Sequence, residues 1–180
     1  MKTTKMILTE LGACPDAVEW AGRKTPEKAW AMCPRADWLI WIAEKLGVGW
    51  KLLVLAACAC ARTALKYIPA GENRPRIAIE MAEACTRGEA TLEQLADAAD
   101  DAHVAYDTAY DALVACAAYA AYAAAAAVDD ATYAADAADA AAHAADEGAD
   151  EGARAEMAGI VRRIIPFSII KQAIKEGGIS

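Results

Sequence analysis

Carboxylates and imidazoles are the groups in this sequence best suited to chemistry, and they crowd into one stretch. Residues 91–153 hold fourteen Asp and Glu with no Lys or Arg, and both histidines, His103 and His143, lie among them. Asp139 and His143 are four apart, with Asp136 and Glu147 on the adjoining turns, so a helix carries these groups on neighbouring rows. Such a group offers one nitrogen and several oxygens to a divalent cation. Carboxylate-metal bundles instead draw ligands from several helices, with Glu-x-x-His pairs that this sequence lacks, so no metal site and no cofactor are expected. His103, a turn away from Asp100 and Asp107, reads as a solvated side chain.

Nucleophilic catalysis finds no better support. Cys116 and His103 are thirteen apart on what the pattern makes a single helix, too far to touch. Cys58 and Cys60, two apart, point to different faces of a helix, which fits neither a CxxC redox pair nor a zinc half-site. Together with Cys14, Cys33 and Cys85, these cysteines read as reduced, small hydrophobes. No phosphate loop, dinucleotide fingerprint or HExxH occurs. The sequence therefore points to recognition and not to an enzyme.

What remains is the carboxylate stripe. Like charges at i,i+4 cost about 0.2–0.5 kcal/mol per pair, which the helix preference of the surrounding alanines absorbs. One account is a solvated face. The other is a negative surface that steers and docks a basic protein, either a toxin or a nucleic-acid-binding protein. On that account Asp97, Asp100, Asp107 and Asp111 make the first half of the contact surface. Asp136, Asp139, Asp146 and Asp150 make the second. Five tryptophans fall between Trp20 and Trp50; most belong to a core, while Trp30 and Trp50 are the candidates for an interface. Arg62, Lys66, Arg74, Arg76 and Arg87 surround one helical hairpin, but the net charge of -8 and the absence of interleaved aromatics argue against direct nucleic-acid binding. Arg62, inside an otherwise apolar helix, is expected to pair with Asp37 or Glu80.

The elements that must position these groups are helices. Helices are expected over 4–12, 15–22, 25–32 with Thr25 as cap and Pro26 at the first position, and from Pro34 to a stop at Gly47. Trp38, Trp41 and Ile42 share a face of the last. A buried helix over 49–68 presents Leu52, Leu55, Ala56, Ala59 and Thr63 to the core, and another runs from Arg74 to near Gly88. Thr91 caps an amphipathic helix along which Leu92, Leu95, Ala99, Ala102, Tyr106 and Tyr110 advance by three or four and continue through Leu113 and Ala117. An unbroken helix to Asp150 would be about 88 Å long, so a break is expected near Asp129, with Asp130 or its neighbour capping a second helix. A loop over 148–152 and two helices divided by Pro166 complete the chain.

The reading is an all-α, compact multi-helix bundle of one domain over 1–180, with a long alanine-rich, acidic hairpin or bent arm. Its charge is zoned: residues 1–90 hold thirteen Lys and Arg against ten Asp and Glu, residues 91–153 hold the fourteen acids, and residues 154–180 hold five bases against two acids. The longest uncharged window, 112–128, is mostly alanine and falls short of a membrane span, and the two early lysines lead into no long apolar stretch, so a cytoplasmic protein without a signal peptide is expected.

Several stretches resemble a bacterial and phage family of immunity proteins. They are Cys14-Pro-Asp-Ala-Val-Glu-Trp20, Ala29-Trp30, Asp37-Trp-Leu-Ile-Trp41, Ala57-Cys-Ala-Cys-Ala-Arg62 and Pro69-Ala-Gly-Glu-Asn-Arg-Pro75, with Ala-Glu-Ala-Cys85 and Gly88 behind. The resemblance covers about residues 10–90, with a weaker echo at 160–166. It implies a small helical protein that binds a toxin by surface complementarity, with no catalytic motif. Family members carry arginine among the central alanines where this chain has aspartate. The expected function is a noncovalent inhibitor of a basic target. The alternative is a self-assembling homo-oligomer whose alanine faces and tyrosines at 106, 110, 119, 122 and 133 pack chain against chain.

Overall fold

Punctuation in the sequence sets most helix ends. The computed structural model describes residues 3–109, 111–148 and 152–177. In chain order these form α1 (Thr4–Glu10), α2 (Pro15–Ala21), α3 (Pro26–Met32), α4 (Ala36–Lys45), α5 (Trp50–Ala64, extended by a 3-10 turn, Leu65–Tyr67) and α6 (Arg74–Arg87). There follow α7 (Leu92–Asp107), α8 (Ala112–Ala126), α9 (Tyr133–Glu147), α10 (Ala153–Ile164) and α11 (Phe167–Glu176). No strand occurs among the described residues, and the protein is an all-α multi-helix bundle. Thr25 accepts the Lys28 N–H ahead of Pro26, and Thr91 and Gln94 form a reciprocal capping box. Gly88 closes α6 in the left-handed conformation that glycine adopts without a Cβ clash, its N–H reaching back to Ala84 and Cys85.

α5 and α9 lie at the centre. α5 packs on α4, α6, α8, α9 and α10, and α9 packs on α8, α5 and α4. α7 touches α6 and α8 and forms an outer layer. α8 is apolar all round because it has neighbours all round: Ala117, Ala118, Ala120, Ala121, Ala124 and Ala125 are all fully buried. On α9, Ala134, Ala137, Ala138, Ala141 and Ala144 are fully buried too. Side chains this small bring helix axes toward the short end of the usual range of about 8–10 Å, and the α8/α9 contact is the most extensive in the molecule.

The structure corrects the sequence reading at several points. The amphipathic helix expected to run from Leu92 through Ala117 is two helices. Thr108 turns its hydroxyl onto the Val104 carbonyl at 2.7 Å, and Asp111 accepts the Leu113 N–H at 2.9 Å, so one polar side chain ends α7 and another starts α8. α7 and α8 run antiparallel, as the ring pairs His103–Tyr122 (5.0 Å) and Tyr106–Tyr119 (5.4 Å) require. Leu92, expected on the packed face, is exposed at the start of α7. In α5 Ala56 is fully buried as expected, but the rest of the core is made by Leu53, Val54, Ala57, Cys58, Cys60, Ala61 and Ala64, with Leu52, Leu55, Ala59 and Thr63 half-buried. The helix is covered on most sides, and its deepest stripe lies beside the one expected. α4 begins at Ala36, after Pro34. Arg62 pairs with Glu83, its Nε and terminal nitrogen each 2.8 Å from a carboxylate oxygen, and not with Asp37 or Glu80. The break near Asp129 is present, but neither aspartate caps α9: Asp130 accepts the Thr132 N–H and hydroxyl at 3.0 and 2.8 Å within the turn, and Thr132 holds the cap position with no side-chain cap bond. The loop expected over 148–152 lies partly outside the described residues, as do Tyr110 and Asp150.

Candidate functional site

The two halves of the acidic stripe have different surroundings. On α9, cations arrive from other helices. Arg35 grips Asp37 with two bonds of 3.0 and 2.6 Å and extends a third, of 3.1 Å, to Asp139 across 104 residues of chain. Asp146 takes two hydrogen bonds from Arg154, which hold its carboxyl below the usual carboxylate range. Asp136 makes no ion pair or hydrogen bond among the described residues. Partial burial, reinforced by the charge of Asp139, pushes its carboxyl upward. Two of the three α9 aspartates described therefore act inside the fold.

On α7 the carboxylates face outward. Glu93, Asp97, Asp100, Val104 and Asp107 advance by four and three residues along one exposed strip. Asp97 and Asp100 have no cation within ion-pair distance among the described residues. Asp101 acts on Arg74 only at longer range, and Asp107 lies 3.4 Å from His103 Nδ1. Val104, between Asp100 and Asp107 on the strip, is 46% exposed; Tyr106 turns to the other side of α7, where its ring meets His103 and Tyr119. Asp111, placed with this group from sequence, is occupied in capping α8.

The structure also makes a juxtaposition that sequence spacing concealed. Cys116, Tyr119, Tyr106, Asp136, Asp139 and His143 line one cleft of about 510 Å³ between α7, α8 and α9, and His143 Nδ1 lies 3.5 Å from Asp139. The Cys116 thiol is pushed up by burial and by the charge of Glu147, whereas a catalytic cysteine needs the opposite shift. Among the described residues no three potential metal ligands come together, and no helix is long and apolar enough to cross a membrane.

A second concavity, of about 460 Å³, opens between α1–α4, α9 and α11. Trp20, Trp30, Trp38 and Trp41 contribute to its walls, with Ile170 and Ile174 of α11. Trp20 and Trp38 meet edge to face at 6.2 Å. Thr4 ties α1 to the chain before α3 by donating to the Lys24 carbonyl at 2.6 Å. Arg162 of α10 donates to the Cys33 carbonyl at 2.7 Å and holds the end of α3 from below. Of the two tryptophans singled out from sequence, Trp30 is 5% exposed and its Nε1 has no hydrogen-bond partner among the described residues. Trp50 is 41% exposed at the start of α5, with the Lys51 ammonium 5.7 Å from its ring. The bundling of four tryptophans around one cavity was missed because Trp38 and Trp41 read as ordinary core. Their placement with Trp20 on a face beside the deep core of Leu39, Ile40 and Ala43 was the available signal. No protein-family model, curated protein or solved structure matches the chain.

Proposed function

We propose that the chain is a noncovalent binding protein of the immunity or inhibitor type, which engages a basic protein through the outward face of α7. The observation that carries this reading is Val104, an exposed apolar side chain set among the unpaired carboxylates of Glu93, Asp97 and Asp100. Interfaces concentrate affinity in an apolar centre and place charge at a polar rim. The rim charges act mainly on encounter rate and partner choice. The strip is about 24 Å long, enough for a large part of one partner's share of a standard interface of about 800 Å². The resemblance of residues 10–90 to immunity proteins agrees with this reading. Four of the tyrosines named for the assembly alternative, Tyr106, Tyr119, Tyr122 and Tyr133, contact one another within the chain.

The test is affinity capture from the native host at low and high salt, with the wild type beside two variants. One replaces Asp97, Asp100, Asp101 and Asp107 with asparagine; the other is Val104→Asp. The reading expects a basic protein retained by the wild type at low salt, released at high salt, and lost from both variants while their thermal melts stay cooperative. A captured partner that both variants retain unchanged refutes it.

A further inference from the structure

We infer that the cavity between α1–α4, α9 and α11 is a binding site for a small organic amine. Its apolar or aromatic body lies among the tryptophans, and its protonated nitrogen meets Asp136. No residue of α7 lines this cavity, so the inference stands apart from the protein-binding face.

Size and composition set the first constraint. A volume of about 460 Å³ lies within the range of about 300–1,000 Å³ typical of small-molecule sites, and so does a wall that is mostly apolar with few polar groups. Trp30, Ile170, Ile174 and Leu8 supply apolar surface from three separate parts of the chain. Helices from both ends of the sequence thus converge on one concavity.

Charge sets the second. The lining holds one guanidinium, Arg35, against three carboxylates, Asp37, Asp136 and Asp139. The net is two negative charges; Arg35's single positive charge is shared by Asp37 and Asp139, and Asp136 is the lining carboxylate with no bonded cation among the described residues. That carboxylate stands where burial and Asp139 both disfavour its ionised form, and a ligand cation reverses that penalty. The rings of Trp20 and Trp38 already carry the protein's own cations on their faces, Lys24 at 4.3 Å and Arg35 at 4.9 Å. The amine is therefore assigned to the carboxylate and the ligand's apolar body to the indoles.

Burial sets the third. Trp30 lines the cavity with its side chain 5% exposed and its Nε1 closed off, so a ligand meets the indole ring and not its N–H.

The experiment uses three matched probes: N-(4-aminobutyl)benzamide, the neutral N-pentylbenzamide and the anionic 5-benzamidopentanoate. Calorimetric titration of the full chain is expected to show the amine binding at least about tenfold more tightly than either of the others, the scale of one charge-assisted hydrogen bond. Asp136→Asn is expected to bring the amine down to the affinity of the neutral amide and leave that amide unchanged. Asp129→Asn, at the exposed α8/α9 turn, changes neither, and thermal melts confirm that both variants fold. In nitrogen-resolved NMR the Trp30 indole N–H, identified by its loss in Trp30→Phe, shifts on binding the amine. Absence of amine binding up to about 5 mM, equal or tighter binding of another probe, indifference to Asp136→Asn, or an unmoved Trp30 resonance each overturns the assignment.

Discussion

Replacing Ala141 with leucine tests whether the alanine core is filled. Ala141 is fully buried in α9, the helix enclosed by α8, α5 and α4. Leucine adds three carbons. If space existed around this position, burying them would stabilise the protein by about 2.4 kcal/mol, at about 0.8 kcal/mol per carbon. If the helices already meet across alanine, the same carbons force off-rotamer side chains or helix displacement, at a cost of about 1–3 kcal/mol. The two cases differ in sign, and helix propensity does not blur them because leucine ranks just below alanine. Packing against three neighbouring helices leads us to expect destabilisation, matched by Ala124→Leu on the facing side of the seam. Ala96→Leu on exposed α7 serves as the control, with an expected change within about 0.5 kcal/mol. Urea unfolding followed by helical circular dichroism measures all three. A rise in midpoint for Ala141→Leu at constant slope refutes the argument that small side chains close this core.

Two further predictions concern titration and thiol reactivity. Asp146 has a depressed pKa in the fold, so its stabilising effect is present above the unfolded value of about 3.9 and is lost as pH falls through the folded one; Asp136 is raised, so its ionised form disfavours folding at neutral pH. Asp146→Asn should therefore lower Tm at pH 7 by about 1–2 °C, after discounting for exposure, and Asp136→Asn should raise it slightly; the Asp136 effect is gone once pH falls below the unfolded value, and the Asp146 effect disappears only further down, as pH falls through its folded value. Equal signs in a calorimetric series contradict the assignment. Burial pushes the Cys33 thiol up to about 11 and Cys60 up to about 12, and raises Cys58 further, while Cys14 is exposed. A chromogenic disulfide at pH 8 should react fast with Cys14 and leave Cys33, Cys58 and Cys60 silent until urea is added, and fast native reaction at any of those three is the contrary result.

Local grammar was the most legible part of the sequence. Thr25-Pro26, Thr91 with Gln94, and Gly88 announce helix ends through hydrogen bonds made within a few residues, and the structure places those ends where the sequence does. Misreadings arose where one residue type serves two environments. Alanine occupies both packed and solvent faces, so its period cannot choose a face in α5, and a run through Tyr106 and Leu113 passes from the end of α7 at Asp107 to the start of α8 at Ala112 without a glycine or proline to mark the break. The site was legible in composition and not in pairing. The absence of local cations suggested an unscreened stripe, whereas Arg35 and Arg154 reach α9 from elsewhere and leave α7 as the outward-facing charge. Asp136 lines one cavity with Trp30 and also the cleft beside Asp139 and His143, and nothing in a linear sequence brings Asp136 and Trp30 together.

The long-range ties of Arg35 and Arg162 also bear on how the chain acquires its shape during synthesis. Arg35 meets Asp139 only after more than a hundred further residues have been made, and the end of α3 receives Arg162 later still. A nascent N-terminal half leaving the ribosome carries its tryptophans, the Arg35 guanidinium and the α3 carbonyls without their α9 and α10 partners. Its early helices can form locally, but the arrangement that walls the cavity is deferred until the C-terminal helices emerge. Until then the tryptophan face is exposed apolar surface, the kind of segment for which a nascent chain depends on chaperones.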